Sequence, residues 1–414
     1  YLPNVLIQAA KCLLSDTPGP VVLSFPYNIQ KELVDASILD GISFTRANKV
    51  CTVAPPHIEQ SLALLAEAQR PLIIAGYGCL RSGGEAALRH INEQLNIPVT
   101  SSLKAKGVVD ERSALSLGSL GVTSGGYAMR YLRQEADLVL VLGAGFNERT
   151  SYVWDKNLLA GKKLIQVDND AQQLEKVFRA DLVVHADLGA YLKALDAAIQ
   201  AQDMPAKAPV DVAAFIAAVQ KRTDAAGETI FNQQFDQVRA FYAWLEQQFP
   251  DGLVMFDDNI VFAQNFYRVS HKDRFYPNTG ISSLGHAIPA AIGAGCAVDR
   301  PLFAMIGDGG FHMCAMEIMT AVNYGIPLNV VLFNNNTMGL IRKNQHHLYR
   351  DRFIDCDFTN PDYALLAKSF GIHHARVENE QDLAKLAVLD FRKGINLIEV
   401  MIDQDAYPNY SSRR

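Results

Sequence analysis

The sequence predicts an α/β protein made of two doubly wound parallel-sheet domains plus the C-terminal remnant of a third. Short apolar runs typical of buried strands alternate with helical apolar patterns along most of the chain, and turns rich in Gly and Pro separate them. The alternation pauses once, over residues 205–230, where Ala, Lys, Asp and Pro are typical of a connecting segment with one helix at most. A chain of 414 residues is long enough for two or three ordinary domains.

The first elements of the chain do not complete a domain. A helical apolar pattern over residues 5–14 leads to a Thr-Pro-Gly-Pro turn. The apolar run of residues 21–25, which Pro26 follows, predicts a buried strand. We therefore expect residues 1–36 to be the remnant of a domain whose other parts lie outside this chain.

Two longer runs of alternating elements follow the remnant. We expect one domain over residues 37–204, beginning with a connector, then a linker over residues 205–230, and a last domain over residues 231–414. The predicted helices cover residues 58–69, 84–95, 127–135, 188–201, 236–248, 285–297 and 315–324. The predicted strands cover residues 72–75, 99–100, 138–142, 163–167, 253–257, 302–306 and 328–333.

Composition and charge favour a small-molecule partner. The net charge is −6 and no basic run occurs, so we expect neither nucleic acid nor a membrane as a partner. No apolar stretch reaches the 18 or so residues of a membrane span. The six cysteines are scattered without a C-x-x-C pair, which fits a reducing cytoplasm. The start, Tyr1-Leu2-Pro3, has no Met and no signal-peptide pattern, so we expect it to lie inside a longer protein.

Two polar clusters follow neighbouring predicted strands of the last domain. Gly307-Asp308-Gly309-Gly310 comes after the strand of residues 302–306, and Asn334-Asn335-Asn336 comes after that of residues 328–333. A βαβ crossover brings both strand ends to one edge of the sheet. Each cluster alone is more typical of a turn, but together they supply hard oxygens for Mg²⁺ from Asp308, Asn335 and the carbonyl of Thr337. Gly309 and Gly310 leave room for the phosphates that would complete the shell of such an ion.

These clusters, with a third segment, resemble the thiamine diphosphate enzymes of the acetolactate synthase and pyruvate oxidase type. The third segment, residues 280–294, is similar to the stretch of that family ending Leu-Pro-Ala-Ala-Ile-Gly-Ala. The resemblance implies that Leu284 bends the cofactor into a V and that the Ser282 carbonyl accepts a hydrogen bond from its amino group. His286 follows Leu284 by two residues, and we expect its side chain either to line the substrate side of the site or to have a structural role. The other implied cofactor contacts are Gly307, Asp308, Gly309, Gly310, Asn335, Thr337, Met338 and Gly339, and the implied Mg²⁺ ligands are Asp308, Asn335 and Thr337.

The resemblance extends to the preceding domain and to the remnant. Residues 70–76, 101–107 and 142–149 resemble the central domain of the family, in which some members bind FAD. Gly145 stands where synthases commonly carry Arg, so FAD is left open. Residues 1–36 resemble only the tail of the pyrimidine-binding domain, whose Glu activates the cofactor. We therefore expect this chain alone to be inactive, and the full enzyme to be a homodimer or homotetramer.

Two departures from the family narrow the expected reaction. Ile341 stands where related pyruvate decarboxylases carry a proton-donating Glu, which disfavours simple decarboxylation. Lys343-Asn344-Gln345 stands where acetolactate synthases carry Gln-Trp-Gln, so the pocket for the second keto acid differs. We expect a carboligase that decarboxylates pyruvate or a related 2-keto acid and transfers the two-carbon unit to a second carbonyl. A decarboxylase or lyase with the same cofactor, or a catalytically silent cofactor-binding protein, remains the alternative.

Overall fold

The computed structural model describes residues 1–15, 17–40, 42–44, 53–258 and 260–410. In these ranges the chain forms two six-stranded sheets in which every pair of neighbouring strands is parallel. Each sheet is covered on both faces by a separate apolar cluster. The predicted fold class is therefore confirmed.

The N-terminal residues form short helices and no strand. Helix α1 covers Leu2–Leu13, α2 covers Tyr27–Gln30, and a 3₁₀ helix covers Ala36–Leu39. The buried strand predicted over residues 21–25 is wrong, since Val22 is 91% and Phe25 43% exposed. An isolated strand leaves its main-chain groups and both faces unpaired, and among the described residues no other strand lies beside this run.

The first sheet has the strand order β3-β2-β1-β4-β5-β6. The chain places β2 and β3 on one side of β1 and then β4, β5 and β6 on the other side, so the order of the strands switches between β1 and β4. Its strands are β1 (Pro71–Ala75), β2 (Val99–Ser102), β3 (Ser116–Leu120), β4 (Leu138–Leu142), β5 (Lys163–Asp168) and β6 (Leu182–His185). Its helices are α3 (Pro55–Glu67), α4 (Tyr77–Arg81), α5 (Glu85–Gln94), α6 (Tyr127–Gln134) and α7 (Leu188–Ala201), with a 3₁₀ helix at Leu103–Ala105.

The segment predicted as a linker contains helix α8 (Val212–Ala225), which packs on the first sheet's domain. Val212 is buried in the same apolar cluster as Leu117, and the ring of Phe215 packs edge-to-face against that of Tyr131. This part of the linker is therefore held against the preceding domain.

The second sheet has the strand order β11-β12-β10-β9-β7-β8. Strand β8 lies on one side of β7, and β9 followed by β10 lies on the other side. The polar clusters of the sequence lie at the carboxyl ends of its central strands. Its strands are β7 (Val254–Asp257), β8 (Arg274–Pro277), β9 (Leu302–Gly307), β10 (Leu328–Asn334), β11 (His373–Val377) and β12 (Ile395–Met401). Its helices are α9 (Asp236–Gln248), α10 (Val261–Phe266), α11 (Ala287–Gly295), α12 (Asp308–Cys314), α13 (Ile318–Tyr324), α14 (Gly339–Tyr349) and α15 (Tyr363–Phe370), with 3₁₀ helices at Gln233–Phe235, Ala315–Glu317 and Glu380–Val388.

The helix predicted over residues 315–324 begins seven residues earlier than expected, as α12, and continues through a 3₁₀ turn into α13. Among the described residues, none of the helices is both long and apolar enough to cross a membrane.

Candidate cofactor site

Asp308 and the Asn run meet at one point of the second sheet. Strand β9 ends at Gly307, and Asp308 begins helix α12 with only 2% of its surface exposed. Its Oδ2 atom accepts hydrogen bonds from the main-chain N–H groups of Asn335 (3.1 Å) and Asn336 (2.7 Å). The two strand ends are therefore joined directly through this carboxylate, at the edge of the sheet where open α/β folds place ligands.

A third loop also reaches Asp308, through Asn360, which no sequence motif had indicated. The Asn360 amide donates to Asp308 Oδ2 (2.9 Å) and to the side-chain oxygen of Asn334 (2.7 Å). Asn334 in turn donates to the buried carboxylate of Glu399 (2.7 Å). A continuous hydrogen-bonded row thus runs from Asp308 to strand β12.

The charge of Asp308 is both disfavoured by burial and stabilised by hydrogen bonds. Burial raises the pKa of Asp308 above its ordinary value, although the donors of Asn360, Asn335, Gly309 and Asn336 oppose the shift. A carboxylate with such an environment gains from a nearby cation, because the cation favours its charged form.

A cavity of about 280 Å³ opens beside Asp308. Ser282 and Leu284, in the loop that precedes α11, also line this pocket. Ser282 has the left-handed value φ = 57°, uncommon for a residue other than Gly. The sequence-predicted residues that line the pocket are Ser282, Leu284, Gly307, Asp308, Gly309, Gly310, Asn335, Thr337, Met338 and Gly339.

His286 is not among the residues that line this pocket. It is exposed and faces a different cleft, which also contains Tyr77 and Arg274. Its main-chain N–H instead donates to Asp258 (2.8 Å). The structure therefore does not bring the His286 side chain to the predicted cofactor residues.

Asp258 is a further pocket residue whose role the sequence did not reveal. Its carboxylate accepts hydrogen bonds from the N–H groups of Gly285 (2.8 Å), His286 (2.8 Å) and Ala287 (3.3 Å). These groups precede or begin helix α11 and have no partner within the helix. Asp258 thereby ties the end of β7 to the loop that carries Leu284.

The donor set at Asp308 fits a hard cation with oxygen ligands. The Asn335 side chain takes part in none of the hydrogen bonds found for the described residues, so its amide oxygen has free lone pairs. Within the described ranges no group of three or more His, Cys, Asp and Glu side chains could hold a metal. A cation beside Asp308 would thus depend on amide, carbonyl and ligand oxygens, the combination that Mg²⁺ accepts.

Comparison with known proteins finds two domain families in the chain. Residues 58–195 match "Thiamine pyrophosphate enzyme, central domain", and residues 258–400 match "Thiamine pyrophosphate enzyme, C-terminal TPP binding domain". The first match covers strands β1 to β6, and the second covers β8 to β12 with all three loops that meet at Asp308.

Similar curated proteins are named acetolactate synthases. The mitochondrial acetolactate synthase of Schizosaccharomyces pombe is 30% identical over 97% of this chain and 64% of its own length. The acetolactate synthase large subunit of Lactococcus lactis is 27% identical over 98% of this chain and 70% of its own length. The acetolactate synthase isozyme 2 large subunit of Escherichia coli is 28% identical over 97% of this chain and 72% of its own length.

The chain thus spans roughly two thirds of the length of these relatives, from 64% to 72%. Both domain matches fall on the two sheets, and the second includes the pocket beside Asp308. The chain belongs to the thiamine pyrophosphate enzymes, of which it carries the central domain and the C-terminal cofactor-binding domain.

Proposed function

We propose that this chain is the larger part of a thiamine diphosphate-dependent carboligase that acts on pyruvate or a related 2-keto acid, as an acetolactate synthase does. One observation carries the proposal: a single pocket is lined by Asp308 and Asn335 together with Ser282 and Leu284. The names of the similar proteins support the same reaction class.

Asp308, Asn335 and the carbonyl of Thr337 would hold Mg²⁺. The diphosphate would lie against Gly307, Gly309, Gly310, Met338 and Gly339, which line the same pocket. Leu284 would support the bent cofactor, and the Ser282 carbonyl would accept the hydrogen bond of its amino group. When bound, thiamine diphosphate supplies the nucleophilic carbon and the electron sink for loss of CO₂.

The apolar lining of the pocket favours bond formation over protonation. Ile341, Leu340 and Ile402 line it without a proton donor among them. Residues of this pocket would hold the keto acid and its acceptor, while bound thiamine diphosphate would supply the electron sink for loss of CO₂ and for bond formation to the second carbonyl.

Further parts of the proposal concern the whole enzyme. The first sheet has the strand order of dinucleotide-binding folds, which supports FAD as a ligand of the central domain. A flavin absorbance band in the purified protein would test this. We also propose a cytoplasmic homodimer or homotetramer whose pyrimidine-binding domain supplies the activating Glu. The described cysteines are free, as expected in a reducing compartment.

Product analysis tests the proposed reaction. The full-length protein is incubated with pyruvate, thiamine diphosphate and Mg²⁺, and the products are identified by mass spectrometry. We expect a ligated hydroxy-keto product together with CO₂. Acetaldehyde without any ligated product would contradict the carboligase and favour a decarboxylase, whereas no turnover with cofactor bound would favour a silent binding protein.

The cofactor site is tested by Asp308→Ala. The variant loses the only carboxylate of the proposed Mg²⁺ site, so magnesium-dependent binding of thiamine diphosphate in a fluorescence titration should be abolished. Asp299→Ala, at an exposed position outside the pocket, is the matched control and should bind normally. Unchanged affinity in Asp308→Ala would refute the assignment.

A further inference from the structure

The cleft that His286 faces has a volume of about 630 Å³ and lies between the two domains. Its central-domain wall includes helix α4 and the 3₁₀ helix that follows β2, and its opposite wall includes strand β8. The residues that line it are all different from those that line the pocket beside Asp308. It is therefore a separate cavity, to which the proposed reaction gives no role.

Three cationic side chains line this cleft without an acidic partner. Arg81 on α4 and Lys104 after β2 belong to the central domain, whereas Arg274 begins β8 of the other domain. All three are exposed. Among the described residues, no carboxylate forms an ion pair with any of them. We refer to the cleft that these three residues define as the basic cleft.

The other charged residues of the basic cleft leave this positive charge in excess. Lys106 is paired with Glu111 at 2.6 Å, and the buried carboxylate of Asp273 lies 3.8 Å from Arg112. Glu85, in the first turn of α5, is the one lining carboxylate in the described ranges that has no ion-pair partner. Three unpaired cations against one unpaired carboxylate leave a net charge of +2. Like charges that face each other across a domain contact are unfavourable, so an anion between them would stabilise this arrangement.

Aromatic rings lie beside these cations on both walls. Tyr276 of β8 stacks on Phe256, with the ring centroids 4.9 Å apart and an angle of 16° between the planes. Phe256 is only 9% exposed, but Tyr276 is 45% exposed and Tyr77 of α4 is 46% exposed. Exposed tyrosine rings that line a cavity can stack on a planar ligand. The basic cleft thus combines a site for an anion with surfaces for an aromatic ring.

We propose that the basic cleft binds a small phosphate monoester that carries an aromatic ring. The phosphate would lie between Arg81 and Arg274, because a guanidinium group can donate two hydrogen bonds to one phosphate. The ring would stack on Tyr276, and His286 adds a further hydrogen-bonding group. A phosphate monoester has a charge of about −1.5 to −2 near pH 7, which matches the excess charge of the cleft. Such a ligand would bridge the two domains, and its binding does not depend on the proposed carboligase function.

A role of these cations in solubility, or in contact with another protein segment, makes a different prediction. In that case the cleft would not distinguish phenyl phosphate from benzenesulfonate, which has the same ring and a similar tetrahedral group but about one negative charge fewer. A site that holds phosphate between two guanidinium groups favours the more highly charged ligand. The comparison of these two compounds therefore separates the two roles.

The experiment titrates phenyl phosphate, benzenesulfonate and inorganic phosphate calorimetrically into the full-length protein. The protein is first loaded with thiamine diphosphate and Mg²⁺, so that the pocket beside Asp308 is occupied. We expect one site per chain, at which phenyl phosphate binds at least about tenfold more tightly than benzenesulfonate. Inorganic phosphate has no ring and should bind about 2- to 10-fold more weakly than phenyl phosphate.

Variants on both walls assign this binding to the basic cleft. Arg81→Gln and Arg274→Gln each remove one guanidinium group, so each should weaken phenyl phosphate binding at least about tenfold. Tyr276→Ala should weaken phenyl phosphate binding about 2- to 10-fold and leave inorganic phosphate binding unchanged. Arg179→Gln, at an exposed position outside the cleft, is the matched control.

Three results would overturn the inference. They are the absence of phenyl phosphate binding, equal affinities for phenyl phosphate and benzenesulfonate, and an unaltered phenyl phosphate affinity in both arginine variants. The replaced residues are exposed, so the variants should fold, and melting temperatures close to that of the wild type would verify this. Because the readout is binding, the result stands whichever product the enzyme forms from pyruvate.

Discussion

Asn360 fixes the position of Asp308 although it is not adjacent to it in sequence. Its amide nitrogen bridges Asp308 Oδ2 and Asn334 Oδ1, so one side chain links the ends of β9 and β10. Its own amide oxygen is buried and has no hydrogen-bond partner. Residues that hold a metal-binding carboxylate in this way contribute to affinity without touching the metal. Asn360 is therefore a positioning residue of the proposed site.

Removing Asn360 should weaken the cofactor site without abolishing it. In Asn360→Ala we expect magnesium-dependent binding of thiamine diphosphate to fall about 10- to 100-fold, because Asp308 loses one of its fixed donors. Fluorescence titration of the cofactor measures this. Asn323→Ala, at an exposed position on α13, is the control. An unaltered dissociation constant in Asn360→Ala would show that the main-chain donors alone position Asp308.

Glu399 anchors the other end of the same hydrogen-bonded row. Burial opposes its ionisation, but hydrogen bonds from His374 (3.0 Å), Arg376 (2.9 Å) and Asn334 (2.7 Å) outweigh burial and lower its pKa below the ordinary value. Since the native pKa lies below that of the unfolded chain, the network stabilises the fold above the ordinary Glu pKa. This stabilisation is lost as the pH falls through the native value.

The variant Glu399→Gln tests that pH dependence. At about pH 7 we expect the free energy of unfolding to fall by about 1–3 kcal/mol, because the charged hydrogen bonds are lost. The difference from the wild type should begin to narrow below about pH 4.3, where the carboxyl of the unfolded chain takes up a proton, and vanish once the pH falls below the lowered native pKa. Urea titrations at several pH values measure this, with the exposed Glu380→Gln as control. A difference that stays constant over the whole range would contradict the assignment.

At the scale of elements, the sequence predicts every interior strand of the described sheets except β12 (Ile395–Met401), and none of the edge strands. The apolar run of β4 and those of β9 and β10 are buried on both faces, so their residues are continuously apolar. Strands β3 and β8 were missed because their sequences, Ser-Leu-Gly-Ser-Leu and Arg-Phe-Tyr-Pro, are partly polar. Both lie at sheet edges, where exposure relaxes the requirement for apolar residues.

The sequence predicts those residues of the candidate site whose positions follow from strand pairing, and misses those whose positions depend on loop packing. Asp308 and Asn335 follow strands, so parallel pairing alone brings them together. Asn360 and Asp258 lie in loops whose positions depend on the packing of the whole domain. The Gly309-Gly310 pair favours a turn, yet it forms the start of α12. A Cβ atom at Gly310 would lie 2.5 Å from Asp258 Oδ2, so this helix start needs glycine for space.

Asp258 should be necessary for the start of helix α11. In Asp258→Ala the N–H groups of Gly285, His286 and Ala287 lose their common acceptor. We expect the free energy of unfolding to fall by about 1–2 kcal/mol, as for other lost N-terminal caps. Cofactor affinity should also fall, because Leu284 immediately precedes the capped segment. Thermal melting and cofactor titration measure the two effects, and Asp258→Asn, which keeps one acceptor, should be intermediate. Normal melting of the Ala variant would contradict this role.

At the scale of the whole molecule, a buried ion pair of the central domain joins the two domains. Lys106 and Glu111 lie 2.6 Å apart, with 3% and 4% of their side chains exposed. Glu111 accepts a hydrogen bond from the N–H of Val269 (2.9 Å) and donates its own N–H to the Val269 carbonyl (3.0 Å). Lys106 donates to the carbonyl of Gln264 (3.4 Å). The pair therefore connects the central domain to residues 264–269 of the C-terminal domain.

Replacing only one member of this pair should destabilise the contact between the domains more than replacing both members. In Lys106→Met, Glu111 keeps a buried charge without its partner, so we expect the free energy of unfolding to fall by about 3–5 kcal/mol. The double variant Lys106→Met/Glu111→Gln should recover part of this loss, because no unpaired charge remains. Differential scanning calorimetry measures both, and separation of one transition into two would indicate that the domains have uncoupled.

A solvent-exposed pair provides the matched control for that experiment. Lys163 and Asp181 are separated by 2.8 Å, almost the same distance as Lys106 and Glu111, but their side chains are 61% and 34% exposed. Solvent screens such pairs, so Lys163→Met should leave the melting temperature nearly unchanged. Equal decreases of the melting temperature in Lys163→Met and Lys106→Met would mean that burial at the domain contact does not increase the stabilisation by the Lys106–Glu111 pair. A double variant less stable than Lys106→Met would mean that Glu111 stabilises the contact mainly through Val269.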